Sequence, residues 1–218
     1  MTLAFISYQT EDRKVAGEIK SLLKKEGIES FLAHEDIAVS EEWRLEILKV
    51  IKKANIFVAI ITKNYLNSVW CVQEAGIAAA ITKLTPICLL LDNSTPPGFL
   101  QAVQGRRCRD GTVTLDDLLP GLIKAAPNIV LTNMISVISK SRSFRGAEEN
   151  YGELVPYIKK LSPEQAMRLL EAGYKNDQVM HASLCAKDYI PKVLAIHGGV
   201  ISEELHRNIS AICNQYKN

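Results

Sequence analysis

The run Ile56–Thr62, IFVAIIT, is apolar at six consecutive positions before its closing threonine. A strand with one wet face alternates apolar and polar residues, and this one does not. It must be covered on both faces, as a central strand of a parallel sheet flanked by helices is. Three shorter runs are of similar kind: LAFISY (Leu3–Tyr8), IESFLA (Ile28–Ala33) and PICLLLD (Pro86–Asp92), with GRRCRD as a weak fifth. Helical patterns lie between them. In EDRKVAGEIKSLLKKEG, Val15, Ile19, Leu22 and Leu23 share one face and Gly27 is placed to end the helix. Ser40 reads as an N-cap, with Glu41 and Glu42 at the positive end of the dipole and Trp43, Ile47, Val50, Ile51 and Ala54 on the apolar side. A third helix is expected from about Ser68 to Lys83, and a fourth in LDDLLPGLIKAA, where Pro120 is a candidate interruption.

Repeated βα units specify a parallel sheet with right-handed crossovers. The fold class expected is therefore α/β, a flavodoxin-like five-stranded parallel sheet. Ligands in such folds bind at the carboxyl ends of the strands. Three segments converge there: SYQTED, HEDIAVSEEW and TKNYLNSVWCVQE. The last places Trp70 and Glu74 four residues apart, on one side of the helix it opens.

From about Asn128 the βα rhythm stops. NIVLTNMISVIS is an apolar run assigned to neither helix nor strand, and the polar, Gly-containing SKSRSFRGAEENYGE reads as a loop or linker. LSPEQAMRLLEAGYKND carries an N-cap (Ser162), Pro163 at N1, a capping-box Gln165 and Gly173 as a stop. Helices from about Asp177 to Ala186 and Ser202 to Tyr216 follow. The division expected is 1–127 and 128–218, the second a small helical region without a catalytic constellation and suited to interaction or assembly.

A net charge of +2 over 218 residues, with RRCR (Arg106–Arg109) as the densest basic cluster, gives no case for nucleic acid. No apolar stretch has the length of a membrane span, and MTLAFISYQTED lacks the basic start and cleavage site of a signal peptide. Five scattered cysteines without CxxC spacing suit small core residues in a reducing cytoplasm. His181, His197 and His206 complete no metal pattern, so packed or solvated histidines are expected and no metal site is assigned.

Taken in order and spacing, AFISYQTEDRKVAGEIKSLLKKEGIESFLAHEDI, EEWRLEILKVIKKANIFVAIITKNYLNSVWCVQE and PICLLLD resemble a bacterial Toll/interleukin-1 receptor (TIR) domain over about residues 1–125. The resemblance implies an enzyme that cleaves NAD⁺ at the nicotinamide–ribose bond. The product would be ADP-ribose or a cyclic ADP-ribose-type signal in anti-phage immunity, as in Thoeris systems, sensed by a downstream effector. NAD⁺ would be consumed as substrate, with no other cofactor. By the W-x-x-x-E motif of the family, Glu74 matches the catalytic glutamate and Trp70 its aromatic partner. Ser7 and Tyr8 match the loop after the first strand, and Asp36 and Trp43 the loop and helix start after the second. AHEDIAVSEEW departs from the family in lacking the Gly and Pro common in that loop. Self-association through TIR domains is also implied.

The chemistry is coherent on its own terms. Breaking an N-glycosidic bond builds oxocarbenium character on the ribose, and one well-placed carboxylate can hold ribose hydroxyls and oppose that charge. An indole offers a flat surface to an aromatic or cationic ring. Glu74, early in its helix, is expected to be ionised and to border a cleft. Two other classes compete. A non-enzymatic TIR scaffold is the alternative that the Trp70/Glu74 pair argues against. A phosphoacceptor receiver requires an Asp at the end of the third strand, where this chain reads TKNY.

Overall fold

The computed structural model describes residues 2–32 and 43–216, with Trp43 in its backbone only. Five strands, β1 (Leu3–Ser7), β2 (Glu29–Leu32), β3 (Ile56–Ile61), β4 (Thr85–Leu90) and β5 (Arg106–Arg107), form one sheet in the order β2-β1-β3-β4-β5. Every pairing is parallel. The helices of this half are α1 (Arg13–Lys25), α2 (Trp43–Lys53), α3 (Lys63–Asn67), α4 (Val69–Ala79) and α5 (Leu115–Ala125). The α/β five-stranded parallel fold expected from the βα alternation is the one observed. As the apolar run required, β3 is buried at all six positions.

Strand parity sorts the core. Phe5, Phe57, Ala59, Ile61, Cys88 and Leu90 share one cluster with Ile47, Val50 and Ile51 of α2 and with Cys71, Ala75 and Ala78 of α4. Register places Phe5 opposite both Phe31 and Phe57. The rings stack across three strands, with centroids 5.6 and 5.8 Å apart. Because side chains alternate along a strand, Ser7 projects to the face of Phe5, the face covered by α2 and α4.

One helix end in this half departs from the sequence expectation. Gly27 does follow α1 in the left-handed region (φ 71°), but α4 stops at Ala79 rather than near Lys83. Pro120 does not interrupt α5, which runs through it. Pro120 lies on the exposed side, so the carbonyl it leaves without an amide partner can meet water. The basic cluster is tied into the sheet edge: Arg106 donates to Asp117 of α5 at 2.8 Å, and Arg107 to the Asp92 carbonyl at 2.9 Å. The expected N-cap Ser40 lies outside the described residues.

Contacts divide the chain into two compact units, 1–127 and 128–218. The second is helical throughout its described elements: α6 (Pro127–Ser139), α7 (Phe144–Leu154), α8 (Pro163–Lys175), α9 (Asp177–Met180), α10 (Ile190–His197) and α11 (Glu203–Asn214). A π-helical turn, Cys185–Tyr189, leads into α10. The expected linker is largely α7: Ser143 caps it and Ala147, Tyr151 and Leu154 bury one face. The capping box of Ser162 and Gln165 is present, but α8 passes its buried Gly173 and ends at Lys175. Asn176 stops it, donating to the Ser139 and Ser141 carbonyls at 3.0 Å. The helix expected from Asp177 to Ala186 breaks after Met180. His197 contacts the Ile158 carbonyl at 2.8 Å and His181 the Tyr216 hydroxyl at 3.2 Å.

Gly121 marks the tightest helix–sheet approach, since a Cβ there would collide with Cγ1 and Cδ1 of Ile87 on β4. Alanine is the better helix former, yet Gly121→Ala should lower stability by about 1–2 kcal/mol, because overpacking outweighs propensity. Urea unfolding checks this. Adding Ile87→Ala should remove the penalty attributable to the collision, so the double variant loses less than the two single losses combined.

Candidate active site at the carboxyl ends of the strands

The loops after β1, β3 and β4 are bound to one another at the carboxyl end of the sheet. Thr62, which follows β3, donates from Oγ1 to Asp12 Oδ2 at 2.8 Å. The Lys63 amide donates to Asp92 Oδ2 at 2.8 Å. Thr62 also caps α3, its Oγ1 accepting from the Tyr65 amide at 3.1 Å. Only six residues later a second cap, Ser68, starts α4 by accepting from the Cys71 amide. Two caps so close force the chain to turn between α3 and α4. The turn brings the Tyr65 hydroxyl back to the first turn of α4, where it donates to the Cys71 carbonyl at 3.2 Å.

Glu74 is the centre of the site. It is 2% exposed, the one acidic side chain among the buried described residues. Ser7 Oγ donates to its Oε2 at 2.5 Å and lies 3.1 Å from the Tyr65 hydroxyl. Its other oxygen, Oε1, is buried and has no hydrogen-bond partner among the described residues. Burial pushes the Glu74 carboxyl up to about 7, and the Ser7 hydrogen bond only partly opposes it. The expectation of an ionised glutamate bordering a cleft is corrected here. Glu74 is the sixth residue of α4, beyond the first turn in which the helix dipole acts, and desolvation disfavours the charged form.

The other expected residues are placed unequally. Ser7 meets Glu74 directly. Tyr8 is buried, and its backbone carbonyl accepts from Cys71 Sγ at 3.4 Å. Trp70 is half-buried, on the side of α4 facing α2, where the Arg44 guanidinium stands 5.1 Å from its ring centroid. That face of the indole is therefore already engaged by a cation. Asp36 and the Trp43 side chain lie outside the described residues; the Trp43 backbone begins α2. Sequence reasoning missed Tyr65. Its signal was the spacing of the two caps, Thr62 and Ser68, which forces a short helix and turns its middle residue inward.

A raised carboxyl carries a stability cost with a definite sign. Between the unfolded value near 4.5 and the folded value of about 7, the folded state holds the extra proton. Its stability therefore falls as pH rises through that window and levels off above it. Glu74→Gln removes the titration. Between pH 5 and pH 8 the parent should lose about 2–3 kcal/mol relative to the variant in urea unfolding; parallel pH profiles would contradict the assignment.

The TIR domain family model (TIR_2) matches residues 4–119. Among solved structures, the chain is similar to the TIR domain of the Toll-related receptor TRR-2 from Hydra magnipapillata, at 20% identity and a TM-score of 0.44, over 54% of this chain and 88% of that one. With just over half its length matched by the family model, from within β1 to within α5, this chain belongs to the TIR domain family.

Proposed function

We propose that the protein is an NAD⁺ nucleosidase that cleaves the nicotinamide–ribose bond, with Glu74 as the catalytic residue. One observation supports this above the others. Glu74 is buried at the carboxyl end of a parallel sheet, oriented by Ser7, with Oε1 not engaged by any described residue. A carboxyl there has no evident structural purpose and costs stability, as functional groups commonly do.

In the reaction, the bond between ribose C1′ and the pyridinium nitrogen breaks and its electron pair goes to the nitrogen. Nicotinamide leaves as a neutral molecule, so no general acid is required. Positive charge develops on the ribosyl carbon and ring oxygen. Ionised Glu74 opposes that charge and accepts hydrogen bonds from ribose hydroxyls, an interaction strengthened by the dry surroundings. Water then adds to C1′ and releases a proton, giving ADP-ribose; attack by an adenine nitrogen of the same molecule instead gives a cyclic isomer. Ser7 orients the carboxyl, and Trp70 and Tyr8 border the substrate. Asp36 and Trp43 are assigned to substrate binding by the family motif. The product serves as a signal in anti-phage immunity, sensed by an effector.

Assembly belongs to the same reading. Val69 and Val72 of α4 are exposed, as is Phe99 of the turn Gly98–Ala102 packed beside it. This apolar surface supports association of TIR domains next to the site. Control of that association is assigned to the unit 128–218. No helix of the described residues is long and apolar enough to cross a membrane.

The test is incubation of purified protein with NAD⁺, with and without extract of phage-infected cells, and product identification by mass spectrometry. Nicotinamide release is expected, with specific activity rising with protein concentration. Glu74→Gln should lower turnover by roughly two to three orders of magnitude. Trp70→Ala should raise KM more than it lowers kcat. A folded Glu74→Gln protein that turns over at the parent rate would refute the assignment.

A further inference from the structure

Three buried oxygen contacts form a chain: Glu74 Oε2 to Ser7 Oγ at 2.5 Å, Ser7 Oγ to the Tyr65 hydroxyl at 3.1 Å, and the Tyr65 hydroxyl to the Cys71 carbonyl at 3.2 Å. Ser7 and Tyr65 carry one hydroxyl hydrogen each. The Cys71 carbonyl and an ionised carboxylate can only accept. With Glu74 ionised there are two hydrogens for three contacts. Ser7 gives its hydrogen to Glu74, and the single Tyr65 hydrogen is divided between Ser7 and Cys71. With Glu74 protonated there are three hydrogens for three contacts, and all can run in one direction. Glu74 donates to Ser7, Ser7 to Tyr65, and Tyr65 to the Cys71 carbonyl.

We propose that Tyr65 is a positioning residue that acts through Ser7 to favour the protonated form of Glu74 in the resting site, because the chain from Glu74 to the Cys71 carbonyl closes only when that proton is present. Two opposing influences then meet at Ser7. Its hydroxyl stabilises the carboxylate when it donates to Glu74, and Tyr65 draws the same hydrogen the other way. The inference deepens the NAD⁺-cleaving reading and rests on it for its catalytic consequence, which is that substrate entry must shift the Ser7 hydrogen toward Glu74. The hydrogen count itself needs no substrate.

The neighbouring titratable groups do not obscure the effect. From α3, Tyr65 itself is pushed well above its usual range by burial. Cys71 of α4 is raised to about 11 and Cys88 of β4 to about 12, so both are neutral thiols near pH 7. Asp12, on the turn after β1, is raised by its own burial and is hydrogen-bonded to Thr62. From β1 the facing group is Ser7, which does not titrate.

The experiment is an NMR titration of the Glu74 carboxyl carbon in ¹³C-glutamate-labelled full-length protein, with the resonance assigned by its loss in Glu74→Gln. The parent should titrate near 7. Tyr65→Phe removes two bonds from the neutral arrangement and one from the ionised, so its midpoint should fall, by up to about one pH unit for a single net hydrogen bond. Ser7→Ala removes the charge-assisted bond and should raise the midpoint. A Tyr65→Phe midpoint equal to or above the parent's would overturn the proposal, whereas a merely structural tyrosine would change stability and leave the midpoint in place. If Tyr65→Phe does not fold, the Cζ resonance of Tyr65 in the ¹³C-tyrosine-labelled parent decides. It should step at the Glu74 midpoint, and a flat response across that pH range would overturn the proposal. No arm depends on turnover, so a protein that fails to cleave NAD⁺ and a chain that fails to couple Tyr65 to Glu74 give different results.

Discussion

The register of β1 between its two neighbours is the constraint from which the site follows. Phe5 pairs with Phe31 on one side and Phe57 on the other, and the three rings stack on the face that α2 and α4 cover. Two residues on, Ser7 is carried to that same face beside Ala59, whose short side chain crowds it little. A slip of one residue would turn Ser7 to the opposite face and break the ring stack together. The apolar packing that makes the sheet therefore also aims the hydroxyl that holds Glu74.

Given that aim, the carboxyl is governed by solvation rather than by the helix it belongs to. A glutamate in the first turn of α4 would feel the dipole and stay ionised near neutral pH. At the sixth position it meets the buried face of the sheet, and loss of water becomes the larger effect. The consequence is a group whose charge can change near pH 7, the range in which a carboxylate required for one step is most open to control by its surroundings. Ser7 and Tyr65 are the surroundings that matter, because Ser7 hydrogen-bonds the carboxyl and Tyr65 reaches it through Ser7.

Much of the sheet was legible because its signals are local. The apolar run in β3, Gly27 after α1 and the capping box of Ser162 and Gln165 each state a backbone preference within a few residues. The W-x-x-x-E spacing singled out Glu74 and the FISY segment singled out Ser7, but neither reveals that the two meet, since 67 residues separate them. Burial, and with it the protonation state, depends on which face of the sheet α4 covers, a tertiary fact with no local sign. In the second unit, α7 was hidden by its composition. Ser143, Gly146 and several charged residues read as a linker, and only the Ala147–Tyr151–Leu154 spacing marks the buried face. Gly173 misled as well: it is a buried residue within α8, Val179 Cγ1 would lie 3.5 Å from its Cβ, an ordinary contact, and the helix does not end there.

The central claim joins one residue's burial to one reaction, and the pH dependence of kcat/KM for NAD⁺ cleavage tests both at once. That ratio reports ionisations of the free enzyme. Charge on Glu74 is what opposes the oxocarbenium ion, so activity should rise from pH 5 and reach a plateau above a midpoint near 7. A midpoint near 4.5, the value of a solvated glutamate, or a rate that does not change from pH 5 to pH 8, would contradict the account.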